Sequence, residues 1–427
     1  MLSRTIMKKF FTYFTLLIIS FAAIFMIAYQ SDLYVWHSPQ QDMWITNGEL
    51  FDGTSEHVIK NPGILVENGK ISCIGVTCQI PQEVIQIDAT GKAILPGLID
   101  LHGHFFSGKA QGTEQSVPTL IWDQIRFLPS VRRELIAAGI TTYRSLGDVM
   151  PAIFQLKQEL SEQNIAGPRM YIAGPIFTIK GGHPTQDRRI SSWMVELITV
   201  QSDDPIYVKQ QIASLVEKGI DGVKVVYQSH TNKQGVVSMP RISYETLQAI
   251  TSEARKHGLW VAVHTGTPEE TNEAIAAGIS TIEHGIRHGN LISSETIQQI
   301  VKNNIVYVPT LGREPLGHLN IPALNQAGVN FGVGTDSPVE MINGNSYHSE
   351  LSRMVNAGIS DAKALISATQ NGADALGKID ELGTIEVGKF ADILLVDGQP
   401  WQDITELKNI DMVILSGRIA LDKLTGN

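Results

Sequence analysis

Cysteine is scarce in this sequence, which has two among 427 residues, Cys73 and Cys78. Two thiols exclude a disulfide-dense scaffold and a zinc site built from four thiolates. The pair flanks a turn at Gly75 between two short predicted strands. A cross-strand disulfide, as expected in an oxidising compartment, and two buried free thiols both remain open.

Charged residues are also few, because Asp, Glu, Lys and Arg make up 18% of the chain, against roughly 25% in ordinary soluble domains. The 43 acidic and 33 basic residues leave a net charge of −10, and no basic run exceeds Lys8-Lys9. Nucleic-acid-binding proteins carry Lys and Arg clustered on one face. The composition therefore predicts no nucleic-acid partner.

One long stretch without charge lies near the N-terminus, where residues 10–29 follow Arg4, Lys8 and Lys9. Its length is about the 20 residues that a helix needs to cross a bilayer. We expect residues 1–29 to be either an uncleaved membrane anchor, favoured by the length of the run, or a cleaved signal peptide. Both interpretations predict an exported catalytic part, at the periplasm or cell surface, or secreted if the segment is cleaved.

In the remainder of the chain the pattern of apolar and turn residues changes twice. Residues 43–93 and the region after Gly383 show short β-type runs separated by turn residues, whereas residues 94–376 alternate apolar runs with amphipathic helical stretches. Such alternation is typical of βα units around a parallel sheet. The sequence therefore predicts an α/β fold, with a TIM-like (β/α)8 barrel over residues 94–381. A small β-sandwich domain is expected from residues 30–93 plus 382–427. The eight expected barrel strands are Ala93–His102, Thr141–Leu146, Met170–Ile176, Gly222–Tyr227, Trp260–His264, Thr281–His284, Ile305–Pro309 and Asn330–Gly334.

Polar side chains coincide with the carboxyl ends of these strands, the face on which barrel active sites are built. Imidazoles and a carboxylate converging there suit zinc or another borderline divalent cation. A lysine inside the apolar fourth strand is disfavoured by its desolvation cost unless it finds a partner or is chemically changed. The candidate residues are His102, His104, Lys224, His264, His284 and Asp336.

The segment 95–104, LPGLIDLHGH, resembles the opening signature of the amidohydrolase superfamily of metal-dependent hydrolases. Segments 280–285, 334–338, 368–377 and 383–393 are similar to its later motifs, in order along the chain. Within the superfamily the chain looks most like the imidazolonepropionase-related and Xaa-Pro dipeptidase-like branch.

This resemblance implies a ligand set. In the binuclear members of that branch the strand-four lysine is carboxylated and bridges two metals. Carried over by position, His102, His104 and Asp336 would bind one divalent cation, with zinc favoured. His264 and His284 would bind the other, and carboxylated Lys224 would bridge both. A water between two cations becomes a hydroxide nucleophile, and Asp336 would act as general base and then general acid.

Further residues have candidate roles. Tyr227, three positions after Lys224, is a candidate oxyanion donor, with core packing as the alternative. His183 resembles a substrate-contacting loop histidine of the prolidase-like group, with a solvated loop position as the alternative. Arg313 and His288 are candidates for contacting a substrate carboxylate.

The expected function is hydrolysis of an amide or peptide bond in a small molecule, such as a dipeptide. A cyclic-amide hydrolase, a deaminase of a heterocycle, and a lactonase or organophosphate hydrolase are the alternative reactions. A membrane-tethered binding protein without catalysis would have lost a ligand position, but all six are present. The metal and the oligomeric state stay open, although homo-oligomers are common for such barrels.

Overall fold

The computed structural model describes residues 13, 20, 36, 39–105, 129–187, 190–232, 237–286, 291–338 and 344–424. Apart from positions 13 and 20, the predicted N-terminal module lies outside these ranges, and so does His288. No helix within the described ranges is long and apolar enough to cross a membrane. The predicted anchor therefore has no counterpart among the described residues.

Parallel strands form the barrel, and most of them pair with the next along the chain. The circle closes through residues 330–338, where Phe331 bridges to Tyr307 on one side and Ser337–Pro338 pairs with Gly103 and His104 on the other. Branched apolar residues dominate these strands, as expected for strands buried on both faces. The barrel strands are Leu98–His104, Ile140–Ser145, Arg169–Ile172 with its continuation Ile176–Thr178, Gly222–Val226, Trp260–His264, Thr281–Glu283, Val306–Val308 and Ser337–Pro338. The TIM-like barrel predicted from the sequence is confirmed.

Helices follow the strands and pack on the outside of the barrel. Several begin where a side chain accepts a hydrogen bond from the first turn, which satisfies an otherwise unpaired backbone donor. These N-cap residues include Asp204, Ser243, Thr267, Ser293 and Ser360. The described α-helices include Ala152–Ser161, Ser192–Ile198, Pro205–Glu217, Tyr244–Lys256, Pro268–Ala277, Ser294–Lys302, Ile321–Gln326, Gly344–Asn356, Asp361–Ala368 and Gln370–Ala375, with 3-10 helices at Pro315–Asn320 and Ile404–Lys408. Residues 129–137 are helical as well.

The first predicted strand, Ala93–His102, is in fact two strands. Lys92–Pro96 pairs with Ile393–Asp397, and Leu98–His104 begins the barrel after Gly97. The prediction merged them because both are apolar and only one residue separates them. The small domain therefore extends to Pro96, and the barrel strand extends far enough to include His104.

Two sheets drawn from both ends of the chain form the small domain. They enclose a buried apolar cluster that includes Ile45, Val66, Leu395 and Ile414. The four-stranded sheet runs in the order Lys70–Ile74, Ile64–Glu67, Met43–Thr46, Ile85–Asp88. The six-stranded sheet runs in the order Arg418–Asp422, Ile410–Leu415, Ile393–Asp397, Lys92–Pro96, Glu49–Phe51, Val58–Lys60.

Short additional strands and one cross-link complete the described chain. Thr199–Gln201 pairs beside Ile176–Thr178, and His230–Thr231 forms a hairpin with Val237–Met239. Cys73, on the strand Lys70–Ile74, forms a disulfide with Cys78, which excludes the free-thiol alternative. Cys78 lies in the loop after Gly75, so the predicted second strand is absent there and the disulfide does not join two strands.

Candidate active site

The predicted metal ligands gather at the carboxyl ends of the barrel strands. Five rings form a continuous series in which neighbouring centroids are 4.4–5.6 Å apart. The distances are 5.6 Å between His104 and His102, 4.6 Å between His102 and His284, 4.4 Å between His284 and His264, and 5.4 Å between His264 and His183. His183 was predicted from its loop position, and the structure places it beside His264.

His102, His104 and Asp336 form the tightest group. Asp336 Oδ1 lies 3.2 Å from His104 Nε2 and 3.5 Å from His102 Nε2. One ligand atom from each of the three residues lies within 4.8 Å of the others, a spacing that could hold a metal ion. The Nε2 atom of His102 is buried and has no hydrogen-bond partner among the described residues. A buried nitrogen left unpaired is costly unless it coordinates something, so the donor set fits a cation.

The partners of the two strand-one histidines fix their tautomers. His102 Nδ1 lies 2.6 Å from Glu283 Oε2, and His104 Nδ1 lies 3.0 Å from the carbonyl oxygen of Gly147. A carboxylate and a carbonyl only accept, so both Nδ1 atoms donate, and the Nε2 of His102, which makes no hydrogen bond among the described residues, carries the lone pair. This arrangement, a carboxylate or carbonyl behind a histidine, is the usual support of a metal-binding imidazole.

Glu283 is itself held by Arg144, whose terminal nitrogen lies 2.7 Å from Glu283 Oε1. Both residues are fully buried inside the barrel, and Arg144 also reaches Thr281 at 3.3 Å. Burial raises the pKa of Glu283, but Arg144 and His102 hold it well below its usual value. Burial and the charge of Lys224 lower the pKa of His102 to about 4. An ionised Glu283 therefore accepts from a neutral imidazole.

Neither Arg144 nor Glu283 was predicted as a site residue from the sequence. A signal was present, because each is a charged residue inside a predicted apolar strand, as Lys224 is. The complementary charges on strands two and six could have been matched on that ground.

The other two histidines also have supporting side chains. His264 Nε2 lies 2.8 Å from Gln228 Oε1, so it donates there and its Nδ1 carries the lone pair. His284 Nδ1 lies 2.8 Å from Thr310 Oγ1. Neither Gln228 nor Thr310 was predicted, since amide and hydroxyl side chains at strand ends are common.

Lys224 is 2% exposed on the fourth strand, in register with Ala262 on the fifth. Ala262 is in turn in register with Thr281, whose hydroxyl faces Arg144 in the barrel interior. The charge of Lys224 is close enough to lower the pKa of both His102 and Glu283. The predicted bridging residue thus lies inside the barrel below the histidine series.

Tyr227 does not join this group. Side chains alternate along a strand, so a residue three positions from Lys224 faces the opposite side. Its hydroxyl donates to Glu273 Oε2 at 2.6 Å, and its ring lies under Arg241 at 4.1 Å. It packs with Val223 and Val225 in the layer between strands and helices. The predicted oxyanion role for Tyr227 is therefore corrected to the alternative, core packing.

Asp336 combines an ionised side chain with an unusual backbone. Burial raises its pKa, but His102, His284 and His104 hold it well below the usual value. Its φ is 47°, in the left-handed region. Arg313 Nε donates to the Asp336 carbonyl oxygen at 2.9 Å and lies 4.0 Å from Oδ2. Arg313, predicted as a candidate for contacting a substrate carboxylate, thus contacts Asp336 directly.

Comparison with known proteins agrees with this geometry. Imidazolonepropionase from Geobacillus sp. (strain WCH70) is 22% identical over 402 residues, covering 86% of this chain and 91% of the relative. A 5-methylthioadenosine/S-adenosylhomocysteine deaminase from Thermococcus onnurineus (strain NA1) is 24% identical and covers 83% of this chain and 85% of its own. The crystal structure of a Xaa-Pro dipeptidase with methionine bound in the active site superposes with a TM-score of 0.75 at 28% identity. It covers 88% of this chain and 99% of its own.

The family model described as the amidohydrolase family matches residues 93–420, most of the chain. This range contains all six predicted ligand positions. The chain belongs to the amidohydrolase family and is a metal-dependent hydrolase acting on carbon–nitrogen bonds.

Proposed function

We propose that this protein hydrolyses an amide or peptide bond of a small molecule, with a dipeptide as the substrate class. The observation that carries the proposal is the convergence of four histidines and Asp336 above the buried Lys224, with His102 Nε2 making no hydrogen bond among the described residues. The structural likeness to a Xaa-Pro dipeptidase supports the dipeptide assignment.

Two divalent cations, with zinc favoured by the ligand chemistry, fit this donor set. His102, His104 and Asp336 would hold one, and His264 and His284 the other. Lys224 would bridge both as a carbamate, in which its neutral amine adds to carbon dioxide and loses a proton. The resulting anion removes the cost of a buried ammonium group, which supports the modification. When bound, the cations polarise the scissile carbonyl and lower the pKa of a water molecule towards neutrality.

The chain's own residues move the proton. Asp336 is ionised, so its carboxylate can take a proton from the attacking water and deliver it to the departing amine. Its position beside His102 and His104 fixes the carboxylate for both steps. His183 extends the ring series outward from His264 and is proposed to contact the substrate.

The test is metal content by mass spectrometry on the purified full-length protein, together with amine release from a panel of dipeptides. We expect two metals per chain, a carbamate signal after incubation with carbon-13 bicarbonate, and cleavage of at least one dipeptide. Lys224→Ala should lose metal and activity. Lys389→Ala, a buried lysine of the small domain that contacts Glu386, is the matched control. A single metal unaffected by Lys224→Ala would contradict the bridge.

A second candidate reaction is supported by the relatives themselves, which are named as an imidazolonepropionase and a deaminase. Both names describe attack on a ring system, one on a cyclic amide and one with release of ammonia. Deaminase branches commonly use one metal and lack the strand-four lysine, so Lys224 favours hydrolysis of an amide or peptide bond over deamination. Ammonia release from aminopurines without any dipeptide cleavage would reverse this order.

Export of the catalytic part, by an anchor or signal at residues 1–29, remains a proposal. The Cys73–Cys78 disulfide supports it, because disulfides persist mainly in oxidising compartments. Fractionation of cells expressing the full chain, with and without residues 1–29, tests this. Equal recovery of both forms in the cytosolic fraction would contradict export.

A further inference from the structure

The loop after the seventh barrel strand, residues 310–313, contacts two of the proposed metal ligands, His284 and Asp336. At its start Thr310 Oγ1 lies 2.8 Å from His284 Nδ1. At its end Arg313 Nε donates to the carbonyl oxygen of Asp336 at 2.9 Å. The position of this one loop therefore affects ligands on the sixth and eighth strands.

The backbone at these positions is strained. His284, Thr310 and Asp336 have φ of 65°, 45° and 47°, in the left-handed region that favours glycine. A β-branched residue such as Thr310 rarely adopts that conformation. Strain of this kind persists only where surrounding contacts fix it, and it is concentrated at functional sites. Something must therefore hold the loop.

Glu350 makes the contact that does so. It lies on the helix Gly344–Asn356 and is 1% exposed. One carboxylate oxygen accepts the backbone N–H of Leu311, and the other accepts that of Gly312 at 2.8 Å. The two amides directly follow Thr310, so the carboxylate fixes the peptide planes that set the direction of the loop. Among the described residues Glu350 makes no contact with the ring series, and its carboxylate contacts the site through the backbone of this loop.

We infer that Glu350 is a positioning residue that clamps the loop 310–313 and thereby orients His284 and Asp336 for the metal centre. The inference rests on the proposed metal site. Loss of the clamp lets the loop leave its strained conformation, which moves the Thr310 hydroxyl away from His284 and the Arg313 guanidinium away from Asp336.

The experiment compares the full-length wild type with Glu350→Gln by two measurements. The first is amide hydrogen exchange of residues 310–314 in the metal-free protein, which we expect to become faster. The second is titration with Co²⁺ followed by its visible absorption, which reports coordination geometry. We expect an altered spectrum and about tenfold weaker binding, the size seen when outer partners of metal ligands are lost.

Two further variants test whether Glu350 acts through its hydrogen bonds to the loop or through its negative charge alone, and whether it acts through His284. Glu350→Asp keeps the negative charge but shortens the reach, so the clamp predicts faster exchange and weaker Co²⁺ binding here too. A wild-type result for Glu350→Asp, with weakened binding only in Glu350→Gln, would show an electrostatic effect and overturn the inference. If Glu350→Gln does not fold, Glu350→Asp alone decides. Thr310→Val should not add to the Co²⁺ effect of Glu350→Gln, because both act through His284.

The matched control is Asp392→Asn. Asp392 is 7% exposed and accepts the backbone N–H of Ser416 at 2.9 Å, in the small domain. We expect it to lower stability without changing the Co²⁺ spectrum. A wild type that binds no Co²⁺ would refute the proposed metal site. If the wild type binds Co²⁺ and Glu350→Gln shows the same Co²⁺ affinity and the same amide exchange, only the clamp is refuted.

Discussion

Glu283 shows how one side chain can connect stability and metal affinity. It accepts from His102 with one oxygen and from Arg144 with the other, all three being buried. The first contact fixes the tautomer that presents His102 Nε2. The second neutralises a guanidinium that would otherwise stand alone in the barrel interior.

Glu283→Gln is predicted to affect both properties. Loss of the charge leaves Arg144 uncompensated, at a cost of about 3–5 kcal/mol in the free energy of unfolding. Glutamine keeps one acceptor oxygen for two donors, and with that oxygen on Arg144 its NH2 group faces His102 Nδ1 and changes the tautomer, which should weaken zinc binding about 10–100-fold. Urea denaturation of the metal-free protein and a competitive zinc titration measure the two effects separately. Wild-type zinc affinity in a folded Glu283→Gln protein would show that the tautomer of His102 is set by another contact.

Tyr227→Phe is predicted to have a small effect restricted to stability. The variant loses one hydrogen bond to Glu273, a half-exposed partner, so the free energy of unfolding should fall by about 1 kcal/mol. Zinc content and the kcat for the cleaved substrate should match the wild type, because the hydroxyl faces away from Lys224. A large fall in kcat at unchanged stability would restore the oxyanion role that the sequence suggested.

Candidate site residues were predictable from sequence where their residue type is rare at that position of a strand. Four histidines at strand ends and a lysine within an apolar strand are unusual enough to be selected from sequence. Alternation along the predicted strand Gly222–Tyr227 already places Tyr227 on the face opposite Lys224, so its core packing could have been chosen from the sequence. Glu350 lies on a helix with no local feature that distinguishes it from a surface glutamate. Its burial is a tertiary property.

At the scale of elements, buried carboxylates tie loops to helices. Glu270 completes a capping box with Thr267 at the start of Pro268–Ala277. Its other oxygen accepts from the backbone N–H and hydroxyl of Ser229, at 2.7 and 2.8 Å. The loops after strands four and five are thus joined next to Gln228, the partner of His264.

Glu270→Ala and Thr267→Ala are predicted to differ in size. Thr267→Ala removes a helix cap, which costs about 1 kcal/mol. Glu270→Ala also leaves the N–H groups of Ser229 and Gly266 without their acceptor, and each such buried donor costs about 1–3 kcal/mol. Urea denaturation of the two variants in parallel gives the comparison. Equal losses would mean that water replaces the carboxylate in the loop contacts.

Most barrel strands were predictable as elements because apolar residues cluster at their positions, but the eighth was predicted at Asn330–Gly334, whereas the paired strand is Ser337–Pro338. The division at Gly97 was not, since the hydrophobic pattern continues from one sheet into the other. What separates the two strands is a change of partner, from Ile393–Asp397 to Ile140–Ser145. Partners some 300 residues apart leave no local signal.

For the whole molecule, the barrel and the small domain share a core. Along the strand Ile393–Asp397, Ile393 and Leu395 face the small domain's cluster, while Leu394 and Val396 belong to the larger cluster that contains the barrel's outer layer. One strand therefore contributes alternate side chains to both cores.

Unfolding is accordingly predicted to occur in one cooperative transition. Leu394→Ala should lower the free energy of unfolding by about 2–5 kcal/mol and shift the whole transition, because a cavity in the shared core weakens both parts. Calorimetry, with near-ultraviolet circular dichroism as a second probe, measures this. Trp44 in the small domain and Trp260 in the barrel provide signals from each side. Two separate transitions, with only one displaced in Leu394→Ala, would contradict a shared core.

The closure of the barrel by residues 330–338 also sets an order of events during synthesis. His102 lies on the first strand and Asp336 on the eighth, and they become neighbours only when Ser337–Pro338 pairs beside Gly103 and His104. The sheet that supports the first strand needs Ile393–Asp397 as well. A nascent chain therefore cannot assemble the proposed metal site until Asp336 and Ile393–Asp397 have been synthesised, so binding of cations to that site would follow barrel closure.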